Sequence, residues 1–206
     1  MAGPLERGVY LASRSPRRRE LLAQIGVRFH LLLFRSRPGE APDVDEQPLD
    51  HEAPDKYVER LARAKADAGW RRMLQRNLPP APVLAADTTV ALEGTIFGKP
   101  ADREEAAAML GRFSGHTHEV LTAVALKHDD WMESALSRSE VRFKTLSPRE
   151  IEQYVASGES DDKAGAYAIQ GRAARFIVEL RGSYSGVMGL PLYETGQLLD
   201  RLAQRR

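Results

Sequence analysis

The sequence predicts an α/β protein with a mixed, twisted central sheet that is flanked by helices. Apolar runs of strand length alternate along the chain with stretches whose apolar residues recur at helical spacing. Some neighbouring strands are joined by short turns that are typical of antiparallel hairpins, and others are joined by helices that are typical of parallel crossovers. Because both kinds of connection occur, we expect strands of both directions in one sheet, with helices packed against it.

The first unit of the chain is a strand followed by a helix. Val9–Ala12 is an apolar run, Ser15 is a good helix N-cap, Pro16 suits the first helical position, and Gly26 ends the helix. Arg17–Arg19 then place three guanidinium groups in the first turn, beside backbone N–H groups that have no helical partner. This arrangement predicts an anion site for phosphate or polyphosphate, and a solvated basic turn is the alternative.

The next segment combines a long loop with a helix that carries a lysine on its apolar side. A strand is expected over Val27–Phe34, and residues 35–56 form a proline-rich loop that contains Glu46. Loops of this length in compact proteins are usually functional or disordered. The following helix runs to about Arg72, and Lys65 lies on its apolar stripe. A lysine in this position typically extends its ammonium group to water, and neutralisation of phosphates, discussed below, is the other interpretation.

The most apolar strand of the chain contains a carboxylate. Val83–Leu92 is the predicted strand, and Asp87 lies in its middle with no cation nearby in sequence. Lone carboxylates are rarely buried, so Asp87 must meet a cation, a metal or a substrate. A turn at residues 93–94 predicts a hairpin that returns Lys99 to the neighbourhood of this strand.

The second half of the chain continues the alternation of elements. Asp102 caps a helix, Ser147 caps another with a capping box, and His116 and His118 share one face of a strand. Two histidines bind a metal only with further ligands, so a structural role is favoured for them. The other expected elements are strands at 116–127, 131–146 (interrupted at 137–139) and 176–180, a small-residue loop at 161–171, a turn region at 182–189 and a last helix from 191.

The length and composition of the chain exclude several classes of protein. The 206 residues suffice for one domain or two small lobes, and the net charge of +1 gives no general attraction to nucleic acid or membranes. No cysteine is present, which excludes disulfides, thiolate ligands and a cysteine nucleophile. No apolar run approaches the roughly 20 residues of a membrane span, and no signal peptide is apparent, so a cytoplasmic protein is expected.

The polar residues singled out above match the needs of a triphosphate bound with a divalent ion. Lysines and arginines from separate segments neutralise phosphates, and carboxylates hold the metal or orient the attacking water. The chain has no Walker A segment and no Gly-x-Ser-x-Gly elbow, which excludes the commonest phosphate-loop and serine-hydrolase signals.

An ordered set of short segments resembles the Maf family of nucleoside triphosphate pyrophosphatases. The segments follow one another from about Val9 to Leu202, so the resemblance covers nearly the whole chain. It implies a single domain over residues 1–206 with two lobes and a cleft between them, as in inosine triphosphate pyrophosphatase-like proteins. The segments are Leu11-Ala12-Ser13-Arg14-Ser15-Pro16-Arg17-Arg18, Val44-Asp45-Glu46, Leu61-Ala62-Arg63-Ala64-Lys65-Ala66, Ala85-Ala86-Asp87-Thr88, Gly98-Lys99-Pro100, Leu110 with Ser114-Gly115 and His118 with Val120, Asp162-Lys163-Ala164-Gly165-Ala166-Tyr167 with Gln170-Gly171, Gly182-Ser183-Tyr184, and Gly189-Leu190-Pro191.

The resemblance implies hydrolysis between the α- and β-phosphates, which yields a nucleoside monophosphate and pyrophosphate. It assigns the catalytic carboxylate to Asp87 and implies a divalent cation, usually Mg²⁺ with Mn²⁺ or Co²⁺ as alternatives, held by Glu46 and Asp87. Whether Asp87 is the base or a metal ligand stays open. The positions that match phosphate-contacting residues are Ser13, Arg18, Lys65 and Lys99.

Three positions are associated with substrate choice in the resembled family, and here they are Arg17, Thr88 and Gln170. They resemble the branch that cleaves dTTP and UTP, with modified pyrimidine nucleotides as further substrates. The alternatives are the sister activity on 7-methyl-GTP and a non-catalytic nucleotide-binding regulator of cell division. No membrane or stable nucleic-acid partner is expected, and a homodimer is compatible with the resemblance.

Overall fold

The structure is a computed structural model that describes residues 5–33 and 44–205. In this part of the chain seven strands form one sheet, and helices pack on both of its faces. The strands are β1 Val9–Leu11, β2 Phe29–Leu31, β3 Val83–Leu92, β4 Thr95–Phe97, β5 Thr117–His128, β6 Trp131–Phe143 and β7 Ile177–Arg181. The helices are α1 Pro16–Gln24, α2 Pro54–Gln75, α3 Arg103–Phe113, α4 Pro148–Ala156, α5 Tyr184–Met188 and α6 Leu192–Gln204, with short 3₁₀ turns at Ala164–Ala166 and Arg172–Phe176.

The sheet is mixed, as the sequence predicts. Its order is β2-β1-β3-β5-β6-β7; β1 is parallel to both neighbours, and β3, β5, β6 and β7 pair antiparallel. The last β1 pair is Leu11 with Leu84, whereas β4 pairs with β3 only from Val90 onward. On this edge of β3, residues 85–89 therefore lie between the end of β1 and the β4 hairpin.

The alternation of side chains along β3 directs neighbouring residues to opposite faces of the sheet. Val83 and Ala85 join a core cluster formed with α2, whereas Leu84 and Ala86 join one formed with α1 and α6. A third cluster, around α3 and α4, includes Phe113 and other aromatic residues. Continued alternation turns Asp87 toward α2 and Thr88 toward α1.

The helix caps follow the sequence closely. Ser15, Asp102 and Ser147 each accept a hydrogen bond from the backbone N–H three residues later, and Ser147 forms the reciprocal capping box with Glu150. Helix α2 continues to Gln75, beyond the predicted end. None of the helices in the described ranges is both long and apolar enough to cross a membrane.

Three sequence-based expectations need correction. Strand β6 is continuous, because Ser137 and Ser139 are buried and pair with residues of β5. The expected turn region at 182–189 contains the short helix α5, which Ser183 caps and Gly189 ends with a positive φ of 115°. Strand β2 is shorter than expected, and Phe34 and the first part of the proline-rich loop lie outside the described residues.

Candidate active site

Lys65 connects two carboxylates at the centre of the candidate site. Its Nζ atom lies 2.6 Å from Oδ1 of Asp87 and 2.7 Å from Oε1 of Glu46. The Lys65 side chain is 16% exposed and that of Asp87 is 11% exposed, so this pair is shielded from solvent. The alternative in which Lys65 extends to water is therefore wrong, and the cation that Asp87 needs comes from α2.

The two carboxylates differ in proton affinity. Burial raises the pKa of Asp87, against the opposing charges of Lys65 and Arg18. Partial burial also acts to raise the pKa of Glu46, but Lys65, Lys99 and Arg18 outweigh it, and its pKa is lowered. Carboxylates whose pKa values are pushed apart can take different roles, and Asp87 is the better proton acceptor of the two.

Arg18 is held by hydrogen bonds from all three nitrogens of its guanidinium group. Nε donates to the Gly189 carbonyl at 2.6 Å, Nη2 to Oγ1 of Thr88 at 3.1 Å, and Nη1 to Oγ of Ser13 at 3.5 Å. Burial lowers the pKa of Arg18, which nevertheless keeps its charge. A guanidinium group has five N–H donors, so these three contacts leave two of them for an anion.

Ser13 lies where β1 gives way to α1. Its hydroxyl oxygen accepts from the backbone N–H of Ser15 at 3.1 Å and from Arg18. Because both contacts use the oxygen as an acceptor, the hydroxyl proton remains available for donation to an anion. The structure thus brings the buried Ser13, Arg18 and the first turn of α1 together, as the predicted anion site requires.

Thr88 is fixed by a residue that the sequence analysis missed. Thr122 lies directly opposite Thr88 in the β3–β5 register, and their hydroxyl oxygens are 3.0 Å apart. The Thr122 hydroxyl also donates to the Gly186 carbonyl at 2.7 Å. Since a hydroxyl has one proton, Thr88 must donate to Thr122 while it accepts from Arg18. The strand register determines this pair, and the register could not be predicted from the sequence.

Arg17 is anchored in the same way as Arg18, by the carboxyl end of α5. Its Nε atom donates to the Met188 carbonyl at 3.3 Å, next to the Gly189 carbonyl that holds Arg18. Burial lowers the pKa of Arg17. The sequence analysis marked this region only by the Gly189-Leu190-Pro191 segment, which does not indicate that backbone carbonyls here hold the two arginines.

Comparison with known proteins identifies the family. The model of the family described as "Maf-like protein" matches residues 8–202. The chain belongs to the Maf-like family. A protein of Aromatoleum aromaticum named dTTP/UTP pyrophosphatase is 60% identical over 198 residues, which cover 96% of each chain. Proteins of the same name from Nitrosomonas europaea and Nitrosospira multiformis are each 56% identical, the first over 97% of both chains and the second over 98% of this chain and 97% of its own.

The cationic lining of this Maf-like site extends beyond the arginines. The antiparallel pairing of β4 with β3 confirms the predicted hairpin, and the charge of Lys99, just beyond it, helps to lower the pKa of Glu46. Lys163, to which the sequence analysis gave no role, has a pKa lowered by burial and by the nearby charge of Arg17. The small-residue loop therefore approaches the arginine side of the site.

Gln170 is the one predicted site residue that the structure does not join to the others. It lies exposed in a turn, and within the described ranges its side chain has no hydrogen bond to Arg17 or Thr88. The remaining predicted residues share contacts or charge interactions around Asp87 and Arg18. The structure therefore brings together the phosphate-binding and catalytic candidates, with Arg17 and Thr88, and leaves Gln170, the third candidate for substrate choice, on a separate segment.

The carboxylates of Glu46 and Asp87 are ligands of the type that a hard divalent cation takes. Lys65 contacts one oxygen of Glu46 and one of Asp87, which leaves a second carboxylate oxygen on each. Mg²⁺ commonly takes one or two carboxylates and completes its shell with water and substrate phosphates. The described residues contain no group of three His, Cys, Asp or Glu side chains arranged as a complete protein-only site.

His118 has a structural environment. It is 1% exposed, stacks on Phe113 with ring centroids 4.5 Å apart, and has Nε2 2.9 Å from the Tyr167 hydroxyl. His116 is exposed, and its Nδ1 atom lies 2.8 Å from the Ser114 carbonyl. The two rings occupy different surroundings, in agreement with the structural role favoured from the sequence.

Proposed function

We propose that this chain is a nucleoside triphosphate pyrophosphatase that hydrolyses dTTP and UTP to the monophosphate and pyrophosphate. The observation that carries the reaction is the buried Asp87 carboxylate, bonded to Lys65 and next to Arg18. The names of the relatives, which are 56–60% identical over nearly the full length, support the substrates. Modified pyrimidine nucleotides are a further substrate class.

In the proposed mechanism Asp87 accepts a proton from the water that attacks the α-phosphorus. A bond forms between the water oxygen and phosphorus, the bond from phosphorus to the α–β bridging oxygen breaks, and pyrophosphate leaves. Lys65 keeps Asp87 in position, while Arg18 and Ser13 donate hydrogen bonds to phosphate oxygens. Lys99 and Arg17 add positive charge where negative charge accumulates.

Glu46 would hold the divalent cation, for which Mg²⁺ is proposed, and Asp87 would be its second ligand if another group accepts the proton. When bound, such an ion neutralises phosphate charge and polarises the phosphoryl oxygens. The lowered pKa of Glu46 keeps this carboxylate ionised at neutral pH, as a metal ligand must be. Omitting the metal or adding EDTA is expected to abolish turnover, and Mn²⁺ or Co²⁺ should restore part of it. Full activity in EDTA would refute the metal requirement.

Gln170 supports the choice of a pyrimidine base. Its amide offers one acceptor and two donors, which suits a base edge that carries a carbonyl and an N3–H group. The test is pyrophosphate release from dTTP, UTP, CTP, GTP and 7-methyl-GTP with Mg²⁺. We expect dTTP and UTP to react fastest; faster turnover of 7-methyl-GTP would instead favour the sister activity.

A non-catalytic regulator is the alternative from another class. A pure phosphate binder gains nothing from Asp87, because a carboxylate beside phosphates repels them. Nucleotide binding by the wild type without any turnover would favour the regulator. We also infer a cytoplasmic location and a homodimer without a stable nucleic-acid partner, which cell fractionation and light scattering with and without added DNA would test.

A further inference from the structure

The turn that carries Gln170 is held at both ends by one pair of side chains. The Tyr154 hydroxyl accepts from the backbone N–H of Ala168 at 3.3 Å and donates to Oε1 of Glu159 at 3.1 Å. The other carboxylate oxygen of Glu159 accepts from the backbone N–H of Arg172 at 3.0 Å. Ala168 and Arg172 flank Gln170 by two residues on each side, so the Tyr154–Glu159 pair fixes both ends of the turn.

The pair is itself locked in place. Tyr154 is 3% exposed, and its ring packs edge-on against Phe176 with centroids 5.4 Å apart. Gly171 lies against the Glu159 carboxylate so closely that a Cβ atom at this position would overlap it. The backbone N–H of Gly171 donates to the Ala168 carbonyl at 3.1 Å and closes the turn. Neither side chain can move without breaking contacts on the turn.

The segment before the turn is attached to the sheet. Tyr167 is held by His118 of β5, and the backbone N–H of Gly165 donates to the Gly98 carbonyl at 2.9 Å. Gly98 immediately precedes Lys99, so this bond connects the segment to the hairpin that brings Lys99 to the site. The displacement of Gln170 is therefore limited by attachments on both sides.

We propose that Tyr154 and Glu159 are positioning residues for base recognition, which act on substrate choice through the Gln170 turn. The proposal rests on the proposed function, because it takes Gln170 as the residue that meets the base. Neither Tyr154 nor Glu159 contacts any of the residues assigned to the phosphates among the described hydrogen bonds. Loosening the pair should therefore weaken recognition of the nucleoside and leave recognition of the phosphates unchanged.

The experiment compares two probes on Glu159→Gln and Tyr154→Phe. Calorimetry measures binding of α,β-methylene dTTP, which carries the base, and of inorganic tripolyphosphate, which lacks it. Loss of about one hydrogen bond should weaken binding of the analogue by roughly fivefold, with binding of tripolyphosphate unchanged. Glu152→Gln is the matched control on α4, since this exposed residue has no hydrogen bond or ion pair with residues 168–172 among those described. Equal weakening of both probes would overturn the proposal.

A double-mutant cycle with Gln170→Ala separates positioning from general loosening. If Glu159 acts through Gln170, Glu159→Gln should change affinity for the analogue by less than about twofold in the Gln170→Ala background. Additive effects would overturn the proposal, as would a wild type that binds tripolyphosphate but not the analogue. Melting temperatures confirm that each variant is folded. If Tyr154→Phe does not fold, the conservative Glu159→Gln carries the test alone.

Turnover of dTTP by the wild type is measured separately. If the wild type turns over dTTP and the two substitutions are additive in the cycle, the positioning role is refuted and the proposed function stands. Coupled effects without turnover would support the positioning role and refute the enzymatic activity.

Discussion

Replacing Asp87 by Asn tests whether this carboxylate serves catalysis or only neutralises Lys65. Asn keeps the shape and an oxygen that can accept from Lys65, and it removes the charge and the basicity. A general base typically contributes about 10²–10⁴-fold to rate, so kcat for dTTP should fall by about that factor. Pyrophosphate release at saturating dTTP and Mg²⁺ measures it.

The same substitution should leave stability unchanged or raise it. Burial raises the pKa of Asp87 above its unfolded value, so the ionised carboxylate is disfavoured in the native state at neutral pH. Lys65 retains Glu46 at 2.7 Å and is not left without a charged partner. We expect the free energy of unfolding in urea to stay within ~1 kcal/mol of the wild type or to exceed it.

Nucleotide binding should become tighter. Two unit charges 4 Å apart interact by about 1 kcal/mol in water and by about 4 kcal/mol near a protein surface. Removing a carboxylate next to a triphosphate should therefore tighten binding in EDTA by at least about fivefold. Asp67→Asn is the matched control, because Asp67 of α2 pairs with Arg71 of the same helix and with Lys127 of β5, outside the site.

Two outcomes would refute this reasoning about Asp87. Retention of more than about a tenth of the turnover would mean that another group accepts the proton. A fall of more than ~2 kcal/mol in the free energy of unfolding would identify Asp87 as a structural partner of Lys65.

Burial lowers the pKa of His118 to about 3, so stability should fall by up to ~1.4 kcal/mol per unit as pH drops from 6.5 toward 3. In urea unfolding at several pH values, His118→Phe should remove this part of the pH dependence of the unfolding free energy. Gly171→Ala should displace the Glu159 carboxylate from its two hydrogen bonds, lower the free energy of unfolding by ~1–2 kcal/mol and raise KM for dTTP. Tyr57→Phe removes a 3.0 Å hydrogen bond to the Glu46 carbonyl and should lower kcat/KM by about fivefold, measured by pyrophosphate release.

Each of these predictions has a control of the same chemistry. His116→Gln is the control for His118→Phe, because it replaces an exposed histidine two residues away. Gly111→Ala adds a Cβ in open space on α3, and Tyr193→Phe alters a tyrosine that is 73% exposed. If His118→Phe unfolds with the same pH dependence as the wild type, burial of the imidazole does not set that dependence. A wild-type KM in Gly171→Ala would contradict the role of the Glu159 hydrogen bonds. A wild-type kcat/KM in Tyr57→Phe would contradict the role of the bond to Glu46.

Local signals predicted the start of the elements well. Ser15, Asp102 and Ser147 cap their helices because the cap bond joins residues three apart, and such a bond depends on nearby residues only. The predicted break in β6 was wrong because the deciding contact joins residues that are distant in sequence. The Ser139 hydroxyl, which suggested a break, accepts from the backbone N–H of Ser183 at 3.0 Å, and this partner is 44 residues away.

The sequence by itself determined which chemical groups the protein has and on which elements they lie. It identified the buried carboxylate Asp87, the basic first turn of α1 and the lysine on the apolar stripe of α2. These conclusions follow from hydrophobic period, capping and the cost of burying charge, which are properties of short segments. The resemblance in ordered segments added the family and its reaction.

Only the tertiary structure decided which groups meet. Lys65 reaches Asp87 because α2 packs on the face of β3 to which Asp87 points, and Thr88 meets Thr122 because of strand register. The carbonyls that hold Arg17 and Arg18 are backbone groups, which every residue has and no sequence pattern distinguishes. Contacts between segments distant in sequence depend on how whole elements pack, and this determines the geometry of the site.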